Sequence, residues 1–150
     1  MPEDLAERGL IDTSVVIELD RVDPKHLPPQ IAVCAITLAE LAAGPLATDE
    51  LAERARRQER LQLTEATFDA IPFDADCARG YGRVYAETLA AGRKARGRRA
   101  IDLLIAATAL AADLPLYTAN PSDFTGLETL IRVTPVGLAA KPAGRHDGGL

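Results

Sequence analysis

The sequence predicts an α/β fold, a three-layer α/β/α sandwich built on a central parallel sheet, and three observations predict it. Five short apolar runs, GLID, IAVCAI, AIPF, LPLYT and LIRVT, have the length of buried strands and alternate with longer helical patterns, the rhythm of βαβ units. One late segment, Asp102 to Ala112, is apolar on every side and so must be buried on all faces, in the middle of the domain. With 150 residues, 47% of them hydrophobic, the chain suits one domain packed mainly by Ala, Leu, Ile and Val.

The strand GLID comes first and ends on Asp12, followed by a short helix over Val15 to Leu19. IAVCAI is the second strand and leads into a helix over Leu38 to Ala43. The next helix, Asp49 to Ala66, places Glu50 with Arg54 and Glu53 with Arg57 at i,i+4, as an exposed, charge-paired scaffold helix does. AIPF, a helix over Ala75 to Ala95 and the buried Asp102 helix come next, and LPLYT and LIRVT complete the sheet. The domain is expected to span residues 1–136, with 137–150 as a flexible tail, because KPAGRHDGGL is polar and rich in Pro and Gly.

Composition excludes several classes. The start, MPEDLAERGL, lacks the basic-then-apolar order of a secretory signal, and no apolar run approaches a membrane span, so a cytoplasmic protein with no membrane contact is expected. Two cysteines, Cys34 and Cys77, give no disulfide framework, and with only His26 and His146 they form no zinc spacing. The net charge of −5 disfavours nucleic acid as an average, but GRKARGRR sets Arg93, Lys94, Arg96, Arg98 and Arg99 within one short stretch. By itself that stretch suits a solvated helix end. Beside a catalytic site it becomes a candidate RNA-binding patch.

Four acids map to the carboxyl edge of the inferred sheet, where ligands of open α/β folds collect. Asp12 ends the first strand, Glu40 lies one turn into the helix after IAVCAI, Asp102 opens the buried helix, and Asp123 follows LPLYT. Each has a structural alternative: Asp12 and Asp102 suit helix caps, TLAE suits a capping box between Thr37 and Glu40, and Asp123 suits an Asx-turn after Pro121. Together they change the balance, because two carboxylates about 4 Å apart repel by roughly 4 kcal/mol at an effective dielectric near 20. A converging quartet needs a cation. Oxygen-only ligands select a hard ion, Mg²⁺ with Mn²⁺ as the substitute, and such ions support in-line phosphodiester hydrolysis through an activated water. Asp12, Glu40, Asp102 and Asp123 are therefore the candidate catalytic and metal-ligating residues, with Thr13, Ser14, Thr118 and Asn120 as supporting polar groups. Neither histidine is needed as a base, so His26 and His146 are bystanders.

LIDTSVVIELD, AVCAITLAELAAG, AIDLLIAATAL and YTANPSDF occur in the order and approximate spacing of the PIN-domain ribonucleases, and most resemble the VapC-type toxins of bacterial toxin-antitoxin pairs. The likeness runs from Gly9 to Val136. It implies a PIN-like sandwich, a Mg²⁺- or Mn²⁺-dependent endoribonuclease, frequent homodimers, and a cognate VapB-type antitoxin whose C-terminal segment blocks the acidic pocket, often with an Arg. By position, the four acids match the family's acidic quartet, and Thr13 or Ser14, Thr118 and Asn120 match its supporting polar positions. Three features depart from the pattern. The residues before the first strand are more than these toxins usually carry and read as an extension or a misassigned start; Cys34 stands where Ser is common; and Ala119 stands where a larger polar residue is common, which bears on substrate contacts.

Two other classes compete. A phosphoryl-transfer protein using Asp12 as covalent acceptor needs a Lys near a late strand end, and YTANPSD supplies none. A dinucleotide-binding domain needs G-x-G-x-x-G after the first strand, which is lacking. The non-enzymatic alternative is an inactive PIN-like module that binds RNA or an antitoxin, against which stands the retention of four mutually repelling acids.

Overall fold

Along the first strand, β1 (Arg8–Ile11), consecutive side chains point to opposite faces, and both faces are buried: Leu10 enters one apolar cluster and Ile11 the other. The structure, a computed structural model, describes residues 8–140. Around β1 lie β2 (Gln30–Ala32), β3 (Leu116–Thr118) and β4 (Val133–Pro135), all parallel, in the order β2-β1-β3-β4. Leu10 pairs with Ala32 on one side and Leu116 on the other, so the most buried rung crosses the middle of the sheet.

The same alternation sorts the helices into two layers. Leu10, Ala32, Cys34 and Leu116 pack under α4 (Ala75–Ala90) and α5 (Arg98–Ala112), which contribute Val84, Leu103, Ile105 and Ala106. Ile11 and Val33 face the other way, towards α1 (Thr13–Ile17), α2 (Ala35–Ala43) and α3 (Leu51–Thr67), which contribute Val15, Val16, Leu41 and Leu61. The three-layer sandwich expected from the sequence is the observed architecture. Gly80 on α4 brings the two helices of the first layer together, since a Cβ there would stand 3.1 Å from the Ala107 carbonyl oxygen. In the sheet, a Cβ on Gly9 would stand 2.5 Å from Tyr117 Cε1 and 3.0 Å from Pro28 Cβ. Gly9→Ala is therefore expected to lower stability by about 1–3 kcal/mol through overpacking. A denaturant titration checks this, and an unchanged midpoint would mean that the Tyr117 ring swings aside freely.

Several boundaries differ from expectation, each for a local reason. AIPF yields no full strand: Ile71 alone bridges Cys34, accepting from the Ala35 N–H at 2.8 Å and donating to the Val33 carbonyl at 2.9 Å. Pro72 has no N–H and cannot extend that ladder. The helix expected to reach Ala95 stops at Ala90, where Gly92 adopts φ 77°, its N–H donating to Leu89 and that of Arg93 to Thr88. That pair of bonds is a Schellman stop. The last helix starts at Arg98, four residues before Asp102, because Gly97 turns the chain at φ 66°. On α3 the Glu53–Arg57 pair forms at 2.8 Å, whereas Arg54 leaves Glu50 and donates to the Pro45 and Thr48 carbonyls.

Past Val136 the chain runs along the surface and is hydrogen-bonded to the 3-10 turn Leu19–Arg21. The Ala139 N–H donates to the Arg21 carbonyl at 2.9 Å, and Arg21 Nε returns a bond to the Ala139 carbonyl at 2.8 Å. The rest of the expected tail, from residue 141 and including His146, lies outside the described residues, as do residues 1–7 of the expected N-terminal extension. No helix among the described residues is long and apolar enough to cross a membrane.

Candidate active site

The strand order reverses between β1 and β3: the chain leaves β1 towards β2, and leaves β3 in the opposite direction towards β4. Ligands of open parallel sheets bind in the crevice outside the carboxyl ends of such strands. Here the crevice is closed at its floor by the Asp12 N–H, which donates to the Tyr117 carbonyl at 3.0 Å.

Asp12 is buried and held from several sides. Its Oδ1 accepts from the Ser14 hydroxyl at 2.6 Å and the Val15 N–H at 3.1 Å, so it does cap α1. The Thr118 hydroxyl, which accepts from the Asn120 N–H at 2.9 Å, also faces this carboxyl. Burial pushes the Asp12 pKa up, while Ser14, Thr118 and the Val15 N–H pull it down. Ser14 Oγ in turn accepts from the Ala119 N–H at 3.1 Å and stitches the ends of β1 and β3 together. Capping and site geometry are one arrangement.

Glu40 is not the capping partner of Thr37. Cys34 occupies the cap position of α2, and Thr37 lies fully buried inside the helix. Thr13 Oγ1 stands 2.5 Å from Glu40 Oε1 and 3.0 Å from Thr37 Oγ1. With one proton, Thr13 gives it to the carboxylate and receives that of Thr37. Arg98 adds a cation 3.7 Å from Glu40 Oε2.

Asp102 lies one turn inside α5 and so is not its cap. Its pKa is pushed up to about 7, first by desolvation, then by the negative charge of Asp123 and more weakly by Glu40 and Asp12, with Arg98 pulling the other way. Asp102 thus lies within electrostatic reach of the other three acids, Asp123 most strongly. Asp123 rides on a 3-10 turn, Pro121–Phe124, pinned by the fully buried Phe124. Asn120 precedes that turn and is exposed.

Among the described residues, no three His, Cys, Asp or Glu side chains stand close enough to hold a metal ion between them. That is compatible with the repulsion at Asp102, because Coulomb forces reach further than a coordination bond of about 2.0–2.1 Å. Mg²⁺ binds through one or two carboxylates and keeps several waters, so an all-oxygen crevice of converging acids fits it where an all-protein cage is lacking.

The basic stretch divides. Arg93 donates to the Ser122 carbonyl at 2.8 Å, tying the α4–α5 connection to the Asp123 turn. Lys94 and Arg96 are exposed, Arg98 faces Glu40, and Arg99 is half-buried with an Nε that has no hydrogen-bond partner among the described residues. His26 is exposed in a 3-10 turn, Pro24–His26, outside the acidic crevice.

The sequence pattern that defines the PIN domain matches residues 9–125, most of the chain, a span within which all four acids lie. The chain belongs to the PIN-domain family. Ribonuclease VapC5 of Mycobacterium tuberculosis is 35% identical over 123 residues, 80% of this chain and 87% of that protein. The crystal structure of VapBC-5, a toxin-antitoxin member from the same organism, superposes with a TM-score of 0.74 at 34% identity, covering 88% of this chain and 99% of that one. VapBC-1 from nontypeable Haemophilus influenzae shares the fold at 22% identity and a TM-score of 0.66, covering 85% and 97%.

For this PIN domain, sequence reasoning gathered the acids but missed two roles. Thr37 looked like a cap, yet it supports Thr13 beneath Glu40. The available signal was the i,i+3 spacing of Thr37 and Glu40, which puts both on one helix face. Arg98 was grouped with the candidate RNA-binding cations and is exposed, and its guanidinium also reaches Glu40. It precedes Asp102 by four residues on the same helix, which was visible only once the helix start was known.

Proposed function

We propose that the protein is a Mg²⁺-dependent endoribonuclease, the toxin of a toxin-antitoxin pair, hydrolysing RNA phosphodiester bonds in the crevice of Asp12, Glu40, Asp102 and Asp123. The observation that carries this is the placement of four acids from four separate segments at the carboxyl edge of the sheet, with Asp12 buried at the ends of β1 and β3 and the Asp102 pKa raised to about 7 by desolvation and then by the charge of Asp123. Likeness to a protein named as a ribonuclease supports the reaction class.

One or two of the quartet, with Asp12 and Asp102 foremost, would hold the ion directly and the other acids would meet its waters, with Glu40 at the side of Arg98. When bound, Mg²⁺ would lower the pKa of a water and offset charge on phosphate oxygens. The chain's own residues do the positioning. Ser14 and the Val15 N–H fix one Asp12 oxygen, and the Thr118 hydroxyl faces the same carboxyl. Thr13 and Thr37 hold Glu40, and the Ser14–Ala119 bond keeps the crevice at fixed width. A partly protonated Asp102 must lose its proton to join a cation, so Mg²⁺ binding at pH 7 is expected to release about half a proton and to tighten as pH rises. Calorimetry in buffers of different ionisation enthalpy checks this, and an enthalpy independent of buffer would count against Asp102 as a ligand.

The partner is a VapB-type antitoxin, supported by the toxin-antitoxin complexes among the solved structures of similar fold. A groove of about 550 Å³ between α1 and α3, walled by Val16, Leu19, Leu63 and Phe68 and rimmed by Arg56 and Glu59, suits an amphipathic segment of such a partner. The decisive assay incubates antitoxin-free protein with total RNA in Mg²⁺ or in EDTA. Cleavage in Mg²⁺ alone supports the proposal; equal outcomes in both overturn it.

A further inference from the structure

Beside the acidic crevice lies a second cleft, about 300 Å³, whose wall includes Thr13, Glu40 and Arg98 from the crevice together with Glu53, Arg57 and Arg60 from α3. Its cations are not equivalent. Glu53 has both carboxylate oxygens engaged, Oε1 by Arg56 and Oε2 by Arg57, and these bonds hold its pKa below the usual range. Arg57 is spent on Glu53 and, at 2.9 Å, on the Gly44 carbonyl. Glu40 is committed to Thr13 and faces Arg98. Arg60 remains, half-buried, and none of the ion pairs among the described residues includes it. A guanidinium set into a cleft wall whose own two carboxylates, Glu40 and Glu53, are occupied is poised for an external anion, and its planar fork matches a phosphate bidentately.

We propose that this cleft is a phosphate subsite for the RNA strand, in which Arg60, backed by Arg98, grips a phosphate flanking the one held at the acids. It rests on the ribonuclease reading above and extends it to the path of the substrate. The strand is favoured over an acidic peptide because the cleft shares three wall residues with the crevice, so an anion repeated along one chain can occupy both at once. Ile17 and Leu41 line the same cleft and give the strand's sugars an apolar surface. Arg60 makes no side-chain bond that α3 needs: only its backbone carbonyl is used, accepting from Thr64 at 2.8 Å. Its removal therefore probes binding with little effect on folding.

The test measures binding of a short RNA across a salt series in EDTA in an Asp102→Asn background, which slows turnover, alongside cleavage by otherwise wild-type protein in Mg²⁺. Arg60→Ala is expected to weaken binding by about 5–10-fold at low salt and to lower the salt slope by about one; Arg60→Lys should keep the slope. In the cleaving protein, Arg60→Ala should raise KM with kcat within about twofold. Affinity and slope unchanged from the background would overturn the subsite, as would a loss of antitoxin binding with RNA binding intact. Equal losses in the Ala and Lys variants at unchanged slope would overturn it too, by showing a packing role. If the wild-type chain fails to cleave RNA in Mg²⁺, the ribonuclease reading falls, and the binding arm still judges the cleft.

Discussion

Asp102→Asn is expected to reduce RNA cleavage by on the order of 10²–10³-fold, the loss typical of removing one preorganised charged or polar group from a reacting centre. The same change should stabilise the metal-free protein. The folded-state pKa of Asp102 is about 7 against an ordinary value of 3.8, so the folded chain binds a proton more tightly than the unfolded chain does. Stability from this group is then full at low pH and is lost as pH rises from about 4 to 7. Asn, with no charge to repel Asp123, escapes the loss. Because Asp102 is only partly buried, solvent screening limits the gain at pH 8 to on the order of 1 kcal/mol, or about 2–4 °C in Tm. Thermal melts of both proteins in EDTA at pH 5 and pH 8 check it, with the larger difference expected at the higher pH. An Asn variant that cleaves normally, or that melts below the wild type at pH 8, would remove Asp102 from the centre of the site.

Phe124→Ala should be the most damaging single change to the fold, costing about 3–5 kcal/mol and lowering Tm by roughly 6–20 °C. Phe124 is fully buried among Leu103, Leu116 and Leu127, and it is the residue next to Asp123 in the 3-10 turn. Truncation opens a cavity and frees the turn that sets the second charge felt by Asp102. Mg²⁺ affinity should therefore fall together with stability, while Phe124→Leu should lose much less of both. A variant with weakened stability but unaltered Mg²⁺ affinity would show that Asp123 does not depend on this anchor.

The acids were legible because each sits at a change of pattern in the sequence. Asp12 ends an apolar run and Asp102 interrupts one. Asp123 follows a strand within a Pro-containing turn. Strand length, two-residue alternation and the all-apolar Asp102 helix foretold the layers for the same reason: burial on both faces of a sheet leaves only apolar side chains affordable. Boundaries were less legible. Gly92 and Gly97 stop and restart helices through left-handed backbone, and no hydrophobic period registers that. Pro72 cut AIPF down to a single bridge although its composition is strand-like.

The sequence alone determined the α/β class and nominated the four acids with their all-oxygen side chains, because these depend on residue type and on order along the chain. Only the tertiary structure decided which groups meet: Thr37 under Thr13 and Glu40, Arg98 beside Glu40, Arg93 on the Asp123 turn, and Arg60 left without a carboxylate beside the crevice. Such pairings join segments far apart in sequence. They are fixed by packing and by Coulomb forces across space, which spacing along the chain does not encode.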